Sequence, residues 1–512
     1  MVRVRNAEML ILKSDKAQFE YDIHSLIKAF YPNEEVRVLT PKSVIKDRKI
    51  LEHPADMELV FGEDKVVFKV AGIDSGKETG CTEAIEYSEI YEHVYTWHVE
   101  DEKGIDYKNA FKRFLYNSLC EETGISLPWG NLTGIRPTKI AMSMLEQGKS
   151  EGEIAEFLKR EHLVSAEKTS LGIDIAKREM EILKPLHYEN GYSLYIGIPF
   201  CPTTCLYCSF TSFPISLWKE KIADYLVALE KEIDYISDIY RHKTLDTVYI
   251  GGGTPTSLSA DELDRLLTKL KVSFDFSTVQ EFTVEAGRAD SITKEKLSVL
   301  YRHGVTRISV NPQTMNQETL KLIGRQHTVE QVIDSFYMAR EVGFDNINMD
   351  IILGLPGEKE EDVKETINAI EALSPDSLTV HSLAVKRASA LAQLIREGSG
   401  SVMDSLHNTD ETMRIAKEGA QRMGMFPYYL YRQKNMAGNF ENVGYAKEGK
   451  YGIYNILIME EVQTIVALGA GTVTKRVYGG GRIERCDTVK DVSLYIERIE
   501  EMIERKHELL CD

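Results

Sequence analysis

The chain has 512 residues, 43% hydrophobic and 28% charged, which suits a globular protein of about three domains and excludes a disordered or collagen-like one. Its net charge of −18, from 62 basic and 80 acidic residues, argues against a broad nucleic-acid surface, which needs a basic footprint. No apolar run is long enough to span a bilayer, and Met1 to Leu12 is too interrupted for a signal peptide, so a cytoplasmic protein without membrane insertion is expected.

Residues 1–185 read as an α+β N-terminal domain. Phe19 to Phe30 has the spacing of a short amphipathic helix. Met57–Phe61 and Lys65–Val70 flank Gly62-Glu63-Asp64, which predicts a hairpin. Tyr107 to Thr123 reads as a helix stopped by Gly124. The loop from Trp129 to Lys139 leads into a further helix. Pro137 suits its first turn, and Arg136 with Lys139 offers a second, anion-binding reading. Glu151 to Leu183 suits two more helices.

Residues 186–395 carry a regular rhythm. Strand-like runs fall at Leu194–Phe200, Thr247–Gly251, Glu281–Ala286, Thr306–Val310, Ile347–Leu353 and Ser377–Leu383. Helical patterns separate them at Lys219–Ile239, Ser259–Leu270, Thr293–His303, Val329–Val342 and Glu360–Leu373. Gly304 and Gly343 stand where a left-handed helix end is wanted. The alternation predicts an α/β fold, a parallel six-stranded partial barrel with outer helices. Its chemistry belongs at the carboxyl ends of the strands.

Residues 396–512 break the rhythm. Asp404–Met423 reads as a helix, Tyr428–Tyr431 as a strand, and Val489–Leu510 as a last charged helix. This part is expected to be an α+β C-terminal domain that covers the substrate side of the barrel.

Seven cysteines are present. Cys81, Cys120, Cys486 and Cys511 are scattered, and an odd, uneven set does not suit a disulfide framework. Cys201, Cys205 and Cys208 sit together just past the first barrel strand, in Ile-Pro-Phe-Cys-Pro-Thr-Thr-Cys-Leu-Tyr-Cys. Three soft thiolates on one loop suit an iron–sulfur cluster and leave one iron open. A zinc site would want paired CxxC or histidines, and neither is near. Gly251-Gly252-Gly253-Thr254-Pro255-Thr256 ends the second strand, where glycine lets a backbone approach a ligand.

The CxxxCxxC spacing resembles the signature of the radical S-adenosylmethionine superfamily. Its flanks resemble the oxygen-independent coproporphyrinogen III oxidase family, and the long N-terminal region is similar to that of the HemZ-type coproporphyrinogen dehydrogenase branch. The resemblance implies a [4Fe–4S] cluster on Cys201, Cys205 and Cys208. It implies S-adenosylmethionine on the fourth iron, against Tyr195, Gly252, Glu285 and Val473. It further implies a second S-adenosylmethionine lined by Gly253, Thr254, Gln313, Arg325, Asp350 and Ala384. Asp350, inside an apolar strand, needs a partner, and either a ligand or an ion pair with Arg325 meets that need. Val473 also suits a plain strand–turn.

The chain departs from the family in places. The best-characterised oxidases carry a fourth cysteine where Phe210 stands. The family more often has a proline-containing tripeptide where this chain has Ala286-Gly287-Arg288, and a glycine where Asn311 stands. The heme-chaperone branch carries His-Asn-x-x-Tyr-Trp, whereas the comparable segment here is Ile453-Tyr-Asn-Ile-Leu-Ile458. His407-Asn408 lacks the aromatic pair.

The resemblance therefore implies a radical oxidoreductase that converts coproporphyrinogen III propionates to vinyl groups in heme biosynthesis. A flavodoxin or ferredoxin would supply electrons. Arg432, Lys434, Lys475 and Arg476 are candidates to grip propionates. The alternatives are a heme-binding chaperone and a radical enzyme that methylates or degrades heme.

Overall fold

In Thr247-Val-Tyr-Ile-Gly251, polar or small residues alternate with apolar ones, and a period of two makes a strand with two unlike faces. The same alternation recurs in Thr283-Val-Glu, Arg307-Ile-Ser-Val-Asn311, Asn348-Met-Asp-Ile and Ser377-Leu-Thr-Val-His381. The computed structural model describes residues 9–32, 34–43, 55–71, 91–99, 105–134, 136–386, 388–397, 406, 408–433 and 440–511. These fall into two units, Met1–Ile173 and Asp174–Asp512.

The first unit holds a five-stranded sheet of β1 (Met9–Ser14), β2 (Glu35–Leu39), β3 (Met57–Phe61), β4 (Lys65–Ala71) and β5 (Tyr91–His98), in the order β2-β1-β3-β4-β5. β3 and β4 form the expected antiparallel hairpin. The helices Glu20–Phe30 and Ile105–Thr123 share a core with it, in which Ile23, Leu26, Phe111 and Leu115 meet Leu12, Leu59 and Phe68. The helix Thr138–Glu146 starts directly after Pro137.

The second unit is built on β6 (Gly191–Ile198), the short pair β7 (Phe200–Cys201) and β8 (Phe213–Pro214), β9 (Thr244–Gly252), β10 (Glu281–Gly287), β11 (Arg307–Gln313), β12 (Ile347–Leu353), β13 (Ser377–Ser382), β14 (Phe426–Tyr431), β15 (Asn442–Ala446), β16 (Thr464–Leu468), β17 (Val473–Val477) and β18 (Ile483–Asp487). β6, β9, β10, β11, β12 and β13 lie side by side in chain order, all parallel. This is the six-stranded partial barrel. Its outer helices are Ile222–Ile239, Ala260–Ser273, Lys294–Arg302, Val329–Val342 and Glu360–Leu373. Ser259 with Glu262 and Thr328 with Gln331 form capping boxes at two of them. Gly304 and Gly343 turn the chain back at φ +73° and +121°.

On β6, β9, β10, β11 and β13 the even-numbered residues, among them Leu194, Val248, Val284, Ile308 and Leu378, and on β12 the odd-numbered Met349 and Ile351, are fully or almost fully buried and form the apolar face. The residues of the opposite face bond to one another. Thr247 Oγ1 donates to Ser193 Oγ at 2.8 Å. Arg307 Nη2 reaches over β12 to Ser377 Oγ at 3.2 Å, a span that only the concave side permits. The lumen is therefore polar.

Residues read as a separate covering domain, 396–512, supply β14 to β18 to this same sheet. β15 pairs antiparallel with β13 at one edge, and β16 pairs parallel with β6 at the other. Open strand edges expose unpaired amides and carbonyls, and these two edges are closed by pairing. The sheet has eleven strands, in the order β14-β15-β13-β12-β11-β10-β9-β6-β16-β17-β18. The last helix is broken at Arg498 into Val492–Glu497 and Ile499–Cys511. A further helix, with no counterpart among the elements expected from the sequence, forms at Ile453–Glu460. Among the described residues no helix is long and apolar enough to cross a membrane.

Candidate active site

The three cysteines follow β6, at the carboxyl end of the barrel. Cys205 is buried, Cys201 and Cys208 partly so, and all three are free thiols. Their loop is held from several sides. Thr203 Oγ1 donates to Gly324 O at 3.1 Å, Leu206 N to Ile323 O at 3.0 Å and Leu391 N to Leu206 O at 2.9 Å. Cys201 Sγ lies 3.4 Å from Thr254 Oγ1. Burial pushes the Cys201 and Cys208 thiols up, and the neighbouring sulfurs add to it. Arg288, Arg325 and Lys386 surround them with positive charge. Among the described residues no group of three or more His, Cys, Asp or Glu is arranged to hold a single metal ion. A four-iron cube takes one thiolate per iron, so its ligands ring the cube rather than converge on a point. Three soft donors with cations behind them fit such a cluster.

The glycine run is locked to this loop. Gly253 N donates to Ile198 O at 2.8 Å and Thr254 N to Phe200 O at 2.7 Å. Gly252 has φ +108° and lies beside Tyr195 Oη. A Cβ on Gly253 would stand 2.5 Å from Phe200 O and 2.9 Å from its carbonyl carbon. That obstacle is backbone and cannot swing aside. Gly253→Ala is expected to cost ~1–3 kcal/mol, the usual range for forced overpacking, and to lower the cluster content, read by denaturant unfolding and iron analysis.

Behind the run, Tyr195, Tyr249 and Tyr454 form a stack. The Tyr195 and Tyr249 rings are 6.1 Å apart at 15°, and Tyr249 and Tyr454 4.5 Å apart at 24°. Tyr249 Oη donates to Glu285 Oε1 at 2.6 Å. Burial raises the Glu285 carboxyl to about 7, with the Tyr249 bond opposing and Asp350 adding to the shift. Tyr454 arrives from the Ile453–Glu460 helix. Its first amides, of Ile453 and Tyr454, donate to the buried Glu281 carboxylate at the amino end of β10.

Asp350 is not paired with Arg325. Asn348 Nδ2 donates to its Oδ1 at 2.6 Å, and His381 Nε2 stands 3.9 Å from Oδ2. Burial pushes Asp350 up, but these partners and Thr379 outweigh it and hold the carboxyl below its ordinary value. Arg325 instead bonds Asn311 O and Tyr207 Oη on the cysteine side. Gln313 sits at φ +69°, a strained conformation for a residue with a side chain. Its Oε1, with Ser309 Oγ and Asn311 Oδ1, is buried without a hydrogen-bond partner. Buried orphan atoms of this kind are rare and invite a ligand. Ala384 follows β13 by two residues. Val473 opens β17, and the preceding Gly471 and Thr472 touch Thr211 and Gly197 at the same end of the barrel.

The propionate candidates fare differently. Lys475 pairs with Glu461 at 3.0 Å, and Arg476 donates to Leu509 O. Arg432 is buried, which lowers its guanidinium to about 10. Lys434, His407 and Cys81 lie outside the described residues. The sequence reading missed Tyr249, Tyr454, Glu281, Arg307 and the site role of Arg288. The alternation of polar residues on the strands signals Tyr249, Glu281 and Arg307, while Tyr454 comes from a distant helix and has no local signal.

Residues 195–370 match the radical SAM superfamily model. The chain is 39% identical over 460 residues to the oxygen-independent coproporphyrinogen-III oxidase-like protein HemZ of Bacillus subtilis, covering 89% of this chain and 90% of that one. It is 38% identical over 207 residues to the heme chaperone HemW of the same organism, covering 40% of this chain and 54% of that one. It is 32% identical over 196 residues to the oxygen-independent coproporphyrinogen III oxidase of Escherichia coli, covering 38% and 42%. The structure of coproporphyrinogen III oxidase HemN from Escherichia coli aligns with a TM-score of 0.49 at 21% identity, over 63% of this chain and 73% of that one. The chain belongs to the HemZ-type family of oxygen-independent coproporphyrinogen-III oxidase-like proteins, within the radical SAM superfamily.

Proposed function

We propose that the chain is an oxygen-independent coproporphyrinogen III dehydrogenase that oxidatively decarboxylates two propionates, each giving up one hydrogen atom, CO₂ and one electron to an electron acceptor to leave a vinyl group, and so yields protoporphyrinogen IX. Cys201, Cys205 and Cys208 would hold a [4Fe–4S] cluster, and Tyr195, Gly252, Glu285 and Val473 the S-adenosylmethionine beside it. Together these groups supply, when bound, a 5′-deoxyadenosyl radical that takes hydrogen from carbon. Gly253, Thr254, Gln313, Arg325, Asp350 and Ala384 would line a second S-adenosylmethionine. The observation that carries the reading is the seating of three thiols at the carboxyl end of a barrel with a polar lumen. The substrate is supported by likeness to the oxidase-like and oxidase relatives.

The chain's own residues bind, orient and exclude water. The Tyr195–Tyr249–Tyr454 stack gives an apolar wall beside Glu285, which helps keep solvent from a reactive species. Tyr249 Oη holds one oxygen of Glu285 and leaves the other free to act as the acceptor that a bound S-adenosylmethionine would use. Tyr195, Tyr249, Tyr454, Arg307, Asp350 and His381 are the charged or titratable groups around it. Binding of S-adenosylmethionine is expected to strengthen as pH rises through about 7, because the ionised carboxylate is the acceptor. Glu285→Gln should weaken binding about tenfold, roughly the loss of one charged hydrogen bond, and flatten that pH profile, as titration calorimetry would record.

The deciding assay is anaerobic, with reconstituted protein, S-adenosylmethionine, a one-electron reductant standing in for a flavodoxin or ferredoxin, and coproporphyrinogen III. Substrate-dependent 5′-deoxyadenosine together with vinyl product supports the reading. The heme-chaperone relatives favour a different outcome, in which heme binds without turnover. That outcome would overturn the dehydrogenase assignment.

A further inference from the structure

The residues that replace the family's proline-containing tripeptide put a buried cation against the cysteine loop. β10 carries an irregularity between Glu285 and Gly287, and Gly287 takes φ +68°. A Cβ there would sit 3.1 Å from Thr254 Cγ2. This turn brings Arg288 against the cysteine loop that follows β6. Its side chain is 3% exposed. Nη1 donates to Thr203 Oγ1 at 2.7 Å, to Thr203 O at 3.0 Å and to Cys205 Sγ at 3.8 Å. On its far side Nη2 and Nε donate to the Asp290 carboxylate at 2.6 and 3.0 Å. His327, whose side chain is fully buried, stands 3.9 Å behind Asp290. A proline could supply none of these donors.

We propose that Arg288 is a positioning residue that both clamps the cysteine loop through Thr203 and raises the reduction potential of the cluster through Cys205, with Asp290 setting how much of its charge the sulfur feels. The inference rests on the cluster assignment above. One-electron reduction adds negative charge that is shared by the sulfurs. A nearby cation, and a hydrogen bond to sulfur, stabilise the reduced form more than the oxidised one, and burial lessens the screening that water would provide. Asp290 opposes the cation. Removing Arg288 and removing the Asp290 charge should therefore move the potential in opposite directions.

The experiment uses the full-length reconstituted chain and dithionite as the electron source. Iron per chain is measured, and the cluster potential is followed by electron paramagnetic resonance. Arg288→Gln should shift the midpoint negative, Arg288→Lys should return it toward the wild type, and Asp290→Asn should shift it positive. A purely structural role for Arg288 would lower iron content in these variants but would not give shifts of opposite sign. Wild-type potentials in Arg288→Gln and Asp290→Asn, with iron retained, would overturn the inference and leave the cluster intact. If Arg288→Gln loses its iron, the positive shift in Asp290→Asn decides, and its absence overturns the inference. A wild-type chain that assembles no four-iron cluster removes the cluster assignment and this inference with it.

Discussion

Cys205→Ser is expected to lose the cluster and to lower 5′-deoxyadenosine formation by at least ~10³-fold, equivalent to ~4 kcal/mol of barrier. Cys205 is the most buried of the three thiols, at 9% exposure. It is also the one that both Arg288 and Arg325 face. Serine differs by one atom, yet its hydroxyl is a harder donor and resists deprotonation, so it cannot replace a thiolate on iron. Loop geometry survives the change, because Thr203, Leu206 and Leu391 hold the loop through backbone and hydroxyl groups. The apoprotein should therefore unfold at nearly the wild-type denaturant concentration, while iron and sulfide fall to background. Wild-type iron content and turnover in Cys205→Ser would exclude the three-cysteine cluster.

The barrel was legible because its signals are local. Apolar period two, helical spacing, capping pairs such as Ser259 with Glu262, and Gly304 and Gly343 each act within a few residues. The cysteine triplet and the glycine run are local as well. What the sequence hides is long-range. β16 joins β6 although some 270 residues separate them, and no pattern in Thr464–Leu468 names its partner. Tyr454 reaches the lumen only because Glu281, far back in the chain, accepts from the amides of its helix. Asp350 shows the limit of pairing by expectation. Burial does demand a partner, but the strand period gives it Asn348 on the same face and His381 on the next strand, whereas Arg325 lies on the loop side. Arg288 looked like a simple departure from the family pattern until the left-handed turn at Gly287 aimed it at Cys205.

The C-terminal part of the chain depends on one buried ion pair, and breaking it should have the largest effect on stability. Lys506 and Glu232 bond to each other with both side chains fully buried. Glu232 Oε2 also accepts from Gly469 N at 2.8 Å and Tyr495 Oη at 2.7 Å. One carboxylate on the Ile222–Ile239 helix thus gathers the two C-terminal helices and the loop that precedes Val473. Lys506→Met leaves that carboxylate buried without its cation, which is expected to cost ~3–5 kcal/mol. Glu232→Leu combined with Lys506→Met removes both charges and should recover part of this. Recovery stays incomplete, because the Gly469 amide and the Tyr495 hydroxyl then lose their acceptor, at ~1–3 kcal/mol for a buried unsatisfied group. Denaturant unfolding of the single and double variants measures the difference. The loop links stability to function. Gly469 lies against Gly197 O, and Thr472 against the Gly197 backbone, four residues before Cys201, so loosening Glu232 also loosens the support of the cysteine loop. Lys506→Met should lose cluster under mild denaturant at a lower concentration than it loses its helices. A single, simultaneous transition would mean that the C-terminal part and the cysteine loop unfold as one unit.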